Sequence, residues 1–264
     1  MSDSDFEDGP SLFAEPADYY PPPPKPTTET HTLLAGQTLT LHLVAHNPLW
    51  GHHLWNAGRI ISNYLEKNPS LIASKTVLEL GAGAGLPSLT CASLRAKKVV
   101  VTDYPDVDLI VNLRKNISLF HDQFPELRVG NEESLVAEGY CWGADPCPLL
   151  SLLPLEDREA GFDVLILADL LFNHSEHKKL LHSIKETLKK GKNSTALVFF
   201  TPYRPWLLEK DMAFFDLVRE GGMTVEKVLE EKMEKVMFEE DRGDEELRRT
   251  VFGFVVRWAG EDDS

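Results

Sequence analysis

Three glycines follow a short apolar run and lie at a fixed distance from a carboxylate. The run 76–80 leads into Gly81, Gly83 and Gly85, and Asp103 lies 22 residues after Gly81. Glycine lets the backbone turn sharply and approach a ligand where a Cβ atom would obstruct it. A carboxylate at the carboxyl end of the next strand can accept hydrogen bonds from both hydroxyls of a ribose. The stretch therefore predicts half of a nucleotide-binding site.

The glycine turn alone leaves two nucleotides open. A dinucleotide-binding dehydrogenase also carries glycines after its first strand and an acidic residue about 20 positions later. Here the spacing Gly81-x-Gly83-x-Gly85 departs from G-x-G-x-x-G, about 75 residues precede the glycine strand, and no substrate domain follows the fold. We therefore expect S-adenosylmethionine as the cofactor rather than a nicotinamide dinucleotide.

Composition indicates one large domain with tails. At 264 residues and 29.7 kDa, with 42% hydrophobic residues, the chain can bury a single large core. It has no apolar run of membrane-spanning length and starts with acidic residues, so we expect a cytoplasmic protein without membrane contact. Cys91, Cys141 and Cys147 form no paired zinc pattern and are expected to be free thiols.

The formal charge of -15 is concentrated at the two ends of the chain. Residues 1 to 20 hold six acidic and no basic residues, and residues 226 to 264 hold thirteen acidic and seven basic, so these segments supply -12 of the total. An acidic surface repels the phosphates of nucleic acid and is compatible with a basic protein or peptide partner. The alternative is that these charges only keep flexible tails in solution. We expect a protein substrate and no nucleic acid partner.

The segments before the glycine strand set the domain organisation. Residues 1–29 contain the acidic run and the proline-rich stretch 19–26, which favours extended backbone, and they predict an N-terminal arm. Residues 30–34 and 38–45 alternate on either side of a glycine turn and predict a β-hairpin. The rest of the chain, residues 30–264, is predicted to form the cofactor-binding domain.

Strands and helices alternate through that domain. Strands are expected at 76–81, 98–103, within 132–141, and at 162–168, 195–201, 223–230 and 250–258, with helices at 54–65, 86–95, 106–119, 175–190 and 207–220. This order implies a Rossmann-like α/β fold, in which a seven-strand, mostly parallel sheet has helices on both faces. No helix separates the last two strands, so they are expected to pair antiparallel at one edge.

Five segments together resemble the seven-strand class I methyltransferases, and within them the lysine methyltransferase-like group that includes nicotinamide N-methyltransferase-like proteins. These segments are Leu49–Asn56, Glu79–Pro87, Val101–Pro105, Tyr140–Gly143 and Leu167–His174, and the resemblance covers roughly residues 10 to 258. The wider group usually carries Asp-x-x-Tyr after the fourth strand, whereas this chain has Asp169-Leu-Leu-Phe172. The chain therefore lacks a tyrosine hydroxyl at position 172.

Two further segments resemble the fungal enzymes that methylate the N-terminal glycine and adjacent lysine of translation elongation factor 1-alpha. They are Leu12–Pro21 and Ala168–His177. The resemblance implies a protein N-methyltransferase with S-adenosylmethionine as cofactor and elongation factor 1-alpha as substrate, and we expect a monomer. Two alternatives stay open: an N-methyltransferase of small, nicotinamide-like molecules, and a nonenzymatic interaction protein that keeps the fold.

The resemblance also implies which residues contact the cofactor. They are Trp50, Gly81, Ala82, Gly83, Asp103, Trp142 and Ala168. The glycines would pass under the methionine part, beside a helix N-terminus with free N–H groups, and a rigid tryptophan ring suits a flat adenine. Ala168 ends the fourth strand, at the edge where open α/β sheets bind ligands. Trp55 could take the role of Trp50, and either could instead pack in the core.

The acceptor side is predicted from the residues after the fourth strand. Asp169, Asn173 and His174 are candidates for positioning the acceptor amine, or alternatively for capping the next helix. Methyl transfer needs a neutral amine, and at pH 7 an α-amino group is about a tenth neutral, against about 0.04% for lysine. Phe172, Tyr203 and Trp206 could form apolar walls around the amine or make cation–π contacts with it. The histidines after the strand lack a third ligand, so we expect no metal.

Overall fold

The computed structural model describes residues 24–127 and 134–260, so the predicted arm lies outside the described residues as far as residue 23. The strands are β1 (Thr27–Thr32), β2 (Thr38–Leu43), β3 (Thr76–Leu80), β4 (Lys98–Asp103), β5 (Leu135–Gly139), β6 (Val164–Ala168), β7 (Thr195–Phe200), β8 (Met223–Lys232) and β9 (Thr250–Trp258). The α-helices are α1 (Asn56–Lys67), α2 (Leu86–Ser93), α3 (Val107–Gln123), α4 (Cys147–Leu150), α5 (His177–Thr187), α6 (Leu208–Glu220) and α7 (Glu245–Arg248).

Seven of the strands form one sheet in the order β5-β4-β3-β6-β7-β9-β8, and β1 pairs with β2 in a separate hairpin. The strands β3 to β7 run parallel, while β9 is antiparallel to both β7 and β8. The predicted α/β fold, with its antiparallel C-terminal edge and its N-terminal hairpin, is confirmed. The last strand inserts between β7 and β8, so β8 is the edge strand at that end of the sheet and β5 is the edge strand at the other.

Several elements differ from the sequence-based expectation. The hairpin strands predicted over 30–34 and 38–45 are Thr27–Thr32 and Thr38–Leu43, and the helix predicted over 106–119 continues to Gln123. The helix predicted over 175–190 ends at Thr187, because Leu188 turns to extended backbone with ψ of 122° and pairs with Phe162. The short helices α4 and α7 have four residues each and had no predicted counterpart. A single helical turn is too short to show the apolar periodicity on which helix prediction depends.

The core lies on both faces of the sheet. Every residue of β3 and β7 is buried, as expected for parallel strands with helices on both sides. Alternate residues point to opposite faces, so Val77 joins one buried cluster and Leu78 the other. Across the described ranges, none of the helices combines the length and apolar character needed to cross a bilayer.

The hairpin is attached to α3 by two asparagines. Asn116 Oδ1 accepts a hydrogen bond from the His42 N–H at 2.8 Å, and Asn112 Nδ2 donates to the His42 carbonyl at 2.8 Å. Asn116 Nδ2 also donates to the Ala84 carbonyl in the glycine turn at 3.0 Å. Helix α3 therefore connects the hairpin to the glycine turn that follows β3, and the hairpin lies on one side of that turn.

Candidate functional site

The glycine turn between β3 and α2 holds the backbone in the left-handed region. Gly81, Gly83 and Gly85 have φ angles of 61°, 56° and 79°. A Cβ atom on Gly81 would lie 2.6 Å from Leu170 Cδ2 and 3.2 Å from Trp142 Cζ2, so this position has no room for a side chain. On Gly83 a Cβ atom would meet no atom within 4 Å. A ligand can therefore approach the backbone at Gly83.

Asp103 ends β4 beside the turn and is bonded to it. Its Oδ2 accepts a hydrogen bond from the Gly83 N–H at 2.6 Å, and its Oδ1 accepts from the Tyr104 N–H at 2.7 Å. Burial raises the pKa of this carboxyl, and the two N–H donors lower it in part. Each oxygen keeps a further lone pair, because an ionised carboxylate has about four acceptor positions. The side chain can therefore hold the turn and still accept from a pair of hydroxyls.

A second carboxylate, Glu79, holds the helix that follows the turn. It is 1% exposed within β3, and it accepts hydrogen bonds from the Ser88 N–H at 2.9 Å and from the Ser88 hydroxyl. Ser88 lies in the first turn of α2, where N–H groups have no partner within the helix. Burial raises the pKa of Glu79 to about 8. Glu79 is absent from the predicted site, although a single acid in an apolar strand next to the glycines is a signal for it.

Three other residues that are predicted to contact the cofactor, Ala82, Trp142 and Ala168, lie around the same turn. Trp142 is half-buried, with its ring edge against Gly81. Ala168 ends β6, which neighbours β3, and Ala82 donates its N–H to the Thr102 carbonyl at 2.9 Å. One edge of the sheet thus holds Gly81, Ala82, Gly83, Asp103, Trp142 and Ala168. Their contact with a cofactor stays a prediction.

Trp50 lies in the loop before α1. It is 48% exposed and has a left-handed φ of 65°, and its carbonyl accepts a hydrogen bond from Trp55 Nε1 at 3.1 Å. The neighbouring Gly51 packs directly on Leu109 in the first turn of α3, the helix that follows Asp103. The loop that carries Trp50 is therefore attached near Asp103, and the role of Trp50 in cofactor binding stays a prediction.

Asp169 links the end of β6 to the start of α1, with a left-handed φ of 56° that non-glycine residues rarely adopt. Its Oδ2 accepts hydrogen bonds from the Ala57 N–H at 2.8 Å and the Tyr203 hydroxyl at 3.3 Å, and its Oδ1 accepts from the Thr201 N–H at 2.6 Å. The Tyr203 hydroxyl in turn accepts from the Asn56 N–H at 3.2 Å. Burial raises the pKa of Asp169 to about 7. The carboxylate therefore positions α1, and its contact with an acceptor amine stays a prediction.

The other two acceptor candidates have partners of their own. His174 Nε2 lies 2.6 Å from Asp211 Oδ1 in α6, and burial raises the pKa of Asp211 while the bond from His174 lowers it in part. Asn173 is half-buried, and its Oδ1 accepts from the Ser175 hydroxyl at 3.0 Å. A role for either residue in positioning the amine stays a prediction. Within residues 24–127 and 134–260, no three His, Cys, Asp or Glu side chains are grouped to hold a metal ion.

Four rings from three segments of the chain pack together beside Asp169, and we call them the aromatic cluster: His53, Trp55, Tyr203 and Phe238. Ring centroids are 5.0 Å apart for Trp55 and Tyr203, and 5.3 Å apart for His53 and Phe238, in edge-to-face contacts. Phe238 belongs to the β8–β9 loop, residues 233–249, and lies 5.9 Å from Trp55. It is missing from the predicted site because no periodicity marks a single loop residue.

A cavity of about 710 Å³ lies beside the aromatic cluster. Its lining includes Glu29, Leu43, His53, Asn56, Met237 and Phe238. These residues come from the hairpin, the start of α1 with its preceding loop, and the β8–β9 loop. The cavity therefore lies on the side of the site that Asp169 and the aromatic cluster occupy.

Comparisons with known proteins show what this chain is similar to. A family described as lysine methyltransferase matches residues 34–221. The chain is 56% identical over 263 residues to the protein N-terminal and lysine N-methyltransferase of Neurospora crassa, covering 98% of this chain and 92% of the relative. It is 49% identical over 258 residues to the protein of that name in Emericella nidulans, covering 97% and 98%.

The fold is also similar to a solved structure, the 16S rRNA N2 G1207 methyltransferase of T. thermophilus in complex with AdoMet and guanosine. The TM-score is 0.50 at 17% identity, over 90% of this chain and 52% of that chain. At this identity the likeness concerns the fold alone. The fold is thus one on which methyltransferases are built.

Proposed function

The chain belongs to the lysine methyltransferase family, and on that premise we propose that it is a protein N-methyltransferase that uses S-adenosylmethionine. Its substrate is translation elongation factor 1-alpha, at the N-terminal glycine and the adjacent lysine, and it acts as a monomer in the cytoplasm. The observation that carries the cofactor assignment is the bond from Gly83 to Asp103, which leaves carboxylate lone pairs beside an open glycine turn.

The residues around the turn fit S-adenosylmethionine. The open space at Gly83 suits the methionine part, and the remaining lone pairs of Asp103 suit the two ribose hydroxyls. The half-buried ring of Trp142 offers a flat face for adenine. When bound, the cofactor supplies a methyl group that its sulfonium has already activated.

The protein's own task is to align a neutral amine with that methyl group and to exclude water. The aromatic cluster supplies apolar walls beside Asp169. Burial against such walls disfavours the charged form of an amine and so lowers its pKa, which matters most for lysine. The names of the two fungal relatives, which include both N-terminal and lysine methylation, support a site that accepts both amines.

Labelled methyl transfer tests the proposal. The purified protein is incubated with methyl-labelled S-adenosylmethionine and elongation factor 1-alpha that has a free N-terminal glycine, and the labelled residues are mapped by mass spectrometry. We expect label on the α-amino group of the glycine and on the adjacent lysine. Factor with an acetylated N-terminus is the control and should carry no label on its glycine.

Parallel incubations with free nicotinamide and with a cell extract in place of the factor test the two alternatives. Label on free nicotinamide, with none on the factor, would indicate the small-molecule N-methyltransferase. The absence of label on the factor, on nicotinamide and on every protein of a cell extract would indicate an interaction protein without enzymatic activity.

We also propose that the predicted N-terminal arm, up to the start of β1 at Thr27, is an acidic segment separate from the methyltransferase domain and helps to capture a basic peptide terminus. The six acidic residues among the first 20, together with Tyr19 and Tyr20, support this role. Removal of residues 1 to 20 should lower the methylation of the factor and leave the affinity for S-adenosylhomocysteine unchanged. Equal methylation with and without these residues would contradict the role of the arm.

A further inference from the structure

Two exposed aromatic rings lie at the carboxyl edge of the sheet, next to the acceptor side. Phe172 follows β6 and is 43% exposed, and Trp206 follows β7 and is 62% exposed. The two strands are parallel neighbours, so both segments leave the sheet at the same edge. Arg204 connects the segments, because its Nη2 donates to the Phe172 carbonyl at 2.6 Å. Large aromatic side chains at the surface are typical of protein interfaces.

The β8–β9 loop packs at two points on the segment that carries Trp206. The ring centroids of Phe238 and Tyr203 are 5.9 Å apart. At Gly243, an added Cβ atom would lie 3.3 Å from Trp206 Cζ3. Residues 239–242 connect these two points, and each of them lies within two residues, or about 8 Å between Cα atoms, of Phe238 or Gly243. The loop residues 239–242 are therefore held beside the exposed Trp206 ring.

The surface beside Trp206 is acidic. Glu239, Glu240 and Asp241 are exposed, and none of them takes part in an ion pair within the part of the chain that the structure describes. Residues 204–210 and 239–245 together hold six acidic and three basic residues, which gives a formal charge of -3. Carboxylates without an ion-pair partner therefore lie beside an exposed aromatic face, and their charge favours a basic partner.

We propose that Phe172, Trp206 and residues 239–241 form a docking surface for a lysine- or arginine-bearing segment of the protein substrate, beyond the residues that are methylated. The assignment rests on the proposed function and adds a contact by which the protein selects its substrate. An ammonium or guanidinium group is attracted both to the face of a tryptophan ring and to carboxylates beside it. A ring with the exposure of Trp206 does not exclude water, so it suits a charged side chain rather than the neutral amine that accepts the methyl group.

The docking surface continues outward from the acceptor side. Phe172 lies three residues after Asp169, and Trp206 lies three residues after Tyr203, whose hydroxyl donates to Asp169 at 3.3 Å. Three residues span at most about 11 Å between Cα atoms. An extended peptide advances about 3.3 Å per residue. A basic side chain roughly three to six positions after the substrate's terminus can therefore reach the docking surface while the terminus lies at the acceptor side.

Charge reversal in the loop gives the first test, and we call Glu240→Lys combined with Asp241→Lys the loop variant. Steady-state kinetics use the full chain and elongation factor 1-alpha at about 0.15 M salt, which screens charges beyond about 8 Å. The loop variant should raise the KM for the factor about fivefold and keep kcat within about twofold of wild type. Asp122→Lys combined with Glu159→Lys is the matched control, because both residues are exposed elsewhere and the net charge changes equally. It should change neither value.

Substitution of the ring gives a second test. Trp206→Leu keeps an apolar side chain against Gly243 but removes the aromatic face. The KM for the factor should rise about fourfold, with kcat within about twofold of wild type. Trp206→Phe retains an aromatic face and should raise the KM by less than about twofold.

Binding of N-acetylated hexaarginine tests the docking surface without methyl transfer, because this peptide has neither a free α-amino group nor a lysine. Calorimetry with the full chain measures its Kd. The loop variant should bind the peptide about fivefold more weakly than wild type, and the control pair should bind it within about twofold of wild type.

Three results would overturn the docking surface. The first is an unchanged KM for the factor in both Trp206→Leu and the loop variant. The second is a lower kcat with an unchanged KM in these variants, which would place the residues at the reacting amine. The third is equal affinity of wild type and the loop variant for hexaarginine. By contrast, a wild-type chain that binds hexaarginine through this surface and methylates no residue of the factor would contradict the proposed function and support the docking surface.

Discussion

The cofactor side and the acceptor side of the site are assembled over different distances along the chain. On the cofactor side, Glu79 bonds to Ser88, which is 9 residues away. On the acceptor side, Asp169 bonds to Ala57, which is 112 residues away. The first pair forms as soon as β3, the turn and α2 fold together. The second pair exists only when β6 has been placed against the start of α1, so the acceptor side depends on the complete sheet.

Both sides nevertheless use a buried carboxylate at a helix N-terminus. Glu79 accepts from the first turn of α2 and Asp169 from the first turn of α1, and burial raises their pKa values to about 8 and about 7. The bonding differs, because Glu79 receives both Ser88 bonds on one oxygen, whereas Asp169 uses both of its oxygens. We expect substitutions on the cofactor side to change the affinity for S-adenosylhomocysteine. We expect substitutions on the acceptor side to change the KM for the protein substrate.

The largest effect is expected for Asp103→Ala. The variant loses the carboxylate that accepts from Gly83 and that is predicted to accept from two ribose hydroxyls. The Kd for S-adenosylhomocysteine should rise about 100-fold, or ~3 kcal/mol, which corresponds to two hydrogen bonds to a charged acceptor. Calorimetry measures this change, with Asp122→Ala at an exposed position of α3 as the control. A Kd within about threefold of wild type would leave Asp103 as a turn residue only.

Gly83→Ala should have the next largest effect. A Cβ atom at residue 83 meets no protein atom within 4 Å, so the methyl group would project into the space assigned to the cofactor. We expect the Kd for S-adenosylhomocysteine to rise about tenfold.

Gly222→Ala separates this effect from backbone strain. Gly222 also has a left-handed φ, 82°, and also has no atom within 4 Å of an added Cβ. Both variants should lose about 1 kcal/mol of unfolding free energy, because alanine is strained at such a φ. Only the Gly83 variant should lose cofactor affinity. Equal affinities for the two variants would remove the argument that the space above the turn holds a ligand.

The number of residues that separate the partners of each contact along the chain also explains how much could be predicted from the sequence. The strand predicted at 98–103 has those bounds in the structure, and the glycine turn lies where predicted, because both follow from short-range patterns. The antiparallel pairing of β8 and β9 is confirmed, and it was predicted because the sequence shows no crossover helix between them. The helix α7, which the structure places there, has only four residues and is too short for a crossover. The insertion of β9 between its neighbours was not predicted, since strand order depends on packing that no local pattern records.

The acceptor side was predicted only in part. Asp169 was named from its position after the fourth strand and Tyr203 as an aromatic wall for the amine, but the bond between them was not expected. Phe238 was not named, and Asn56 was named only as the end of the segment Leu49–Asn56, without a role in the site. In the sequence, Phe238 is the last of three apolar residues, 236–238, in an acidic loop, and Asn56 is an ordinary polar residue at the start of a helix. Their significance arises when the β8–β9 loop lies against the start of α1, and no spacing in the sequence encodes that contact.

Glu79→Gln should have a smaller effect, on the pH dependence of stability. The folded pKa of Glu79 is raised to about 8 from its ordinary value of 4.5, so between these values the folded state holds a proton that the unfolded state has lost. The stability contributed by this group is therefore present below about pH 4.5 and is lost as pH rises towards 8. From pH 6 to pH 7 the variant should gain about 1 kcal/mol of unfolding free energy relative to wild type.

Urea unfolding at a series of pH values measures this gain. The amide oxygen of glutamine can accept both Ser88 bonds, so the variant should fold normally. Glu159→Gln, at an exposed position, is the control, and its unfolding free energy should change with pH as that of wild type does. Asp169→Asn should instead lose stability at every pH, because an amide cannot replace two accepting oxygens. If the unfolding free energy of Glu79→Gln changed with pH as that of wild type does, Glu79 would be ionised in the folded protein between pH 6 and pH 7.

The smallest effect is expected for Tyr203→Phe, on the acceptor side. The variant keeps the ring in the aromatic cluster but removes the hydroxyl that joins the Asn56 N–H to Asp169. Asp169 retains the Ala57 and Thr201 donors, so α1 should stay in place with a loss of about 1 kcal/mol in unfolding free energy. The KM for elongation factor 1-alpha should rise about threefold, because the start of α1 beside the aromatic cluster is held less firmly.

Tyr64→Phe is the matched control for this variant. Tyr64 is half-buried in α1, the helix that begins at Asn56. Its ring packs on Phe199, at 5.3 Å between ring centroids, and is not part of the aromatic cluster. The control should leave the KM for the factor unchanged. Affinity for S-adenosylhomocysteine should be that of wild type in both variants. Tyr203→Phe could instead weaken cofactor binding and leave the KM for the factor unchanged. In that case the start of α1 would belong to the cofactor side. The site could then not be divided into a cofactor side formed by contacts close in sequence and an acceptor side formed by contacts distant in sequence.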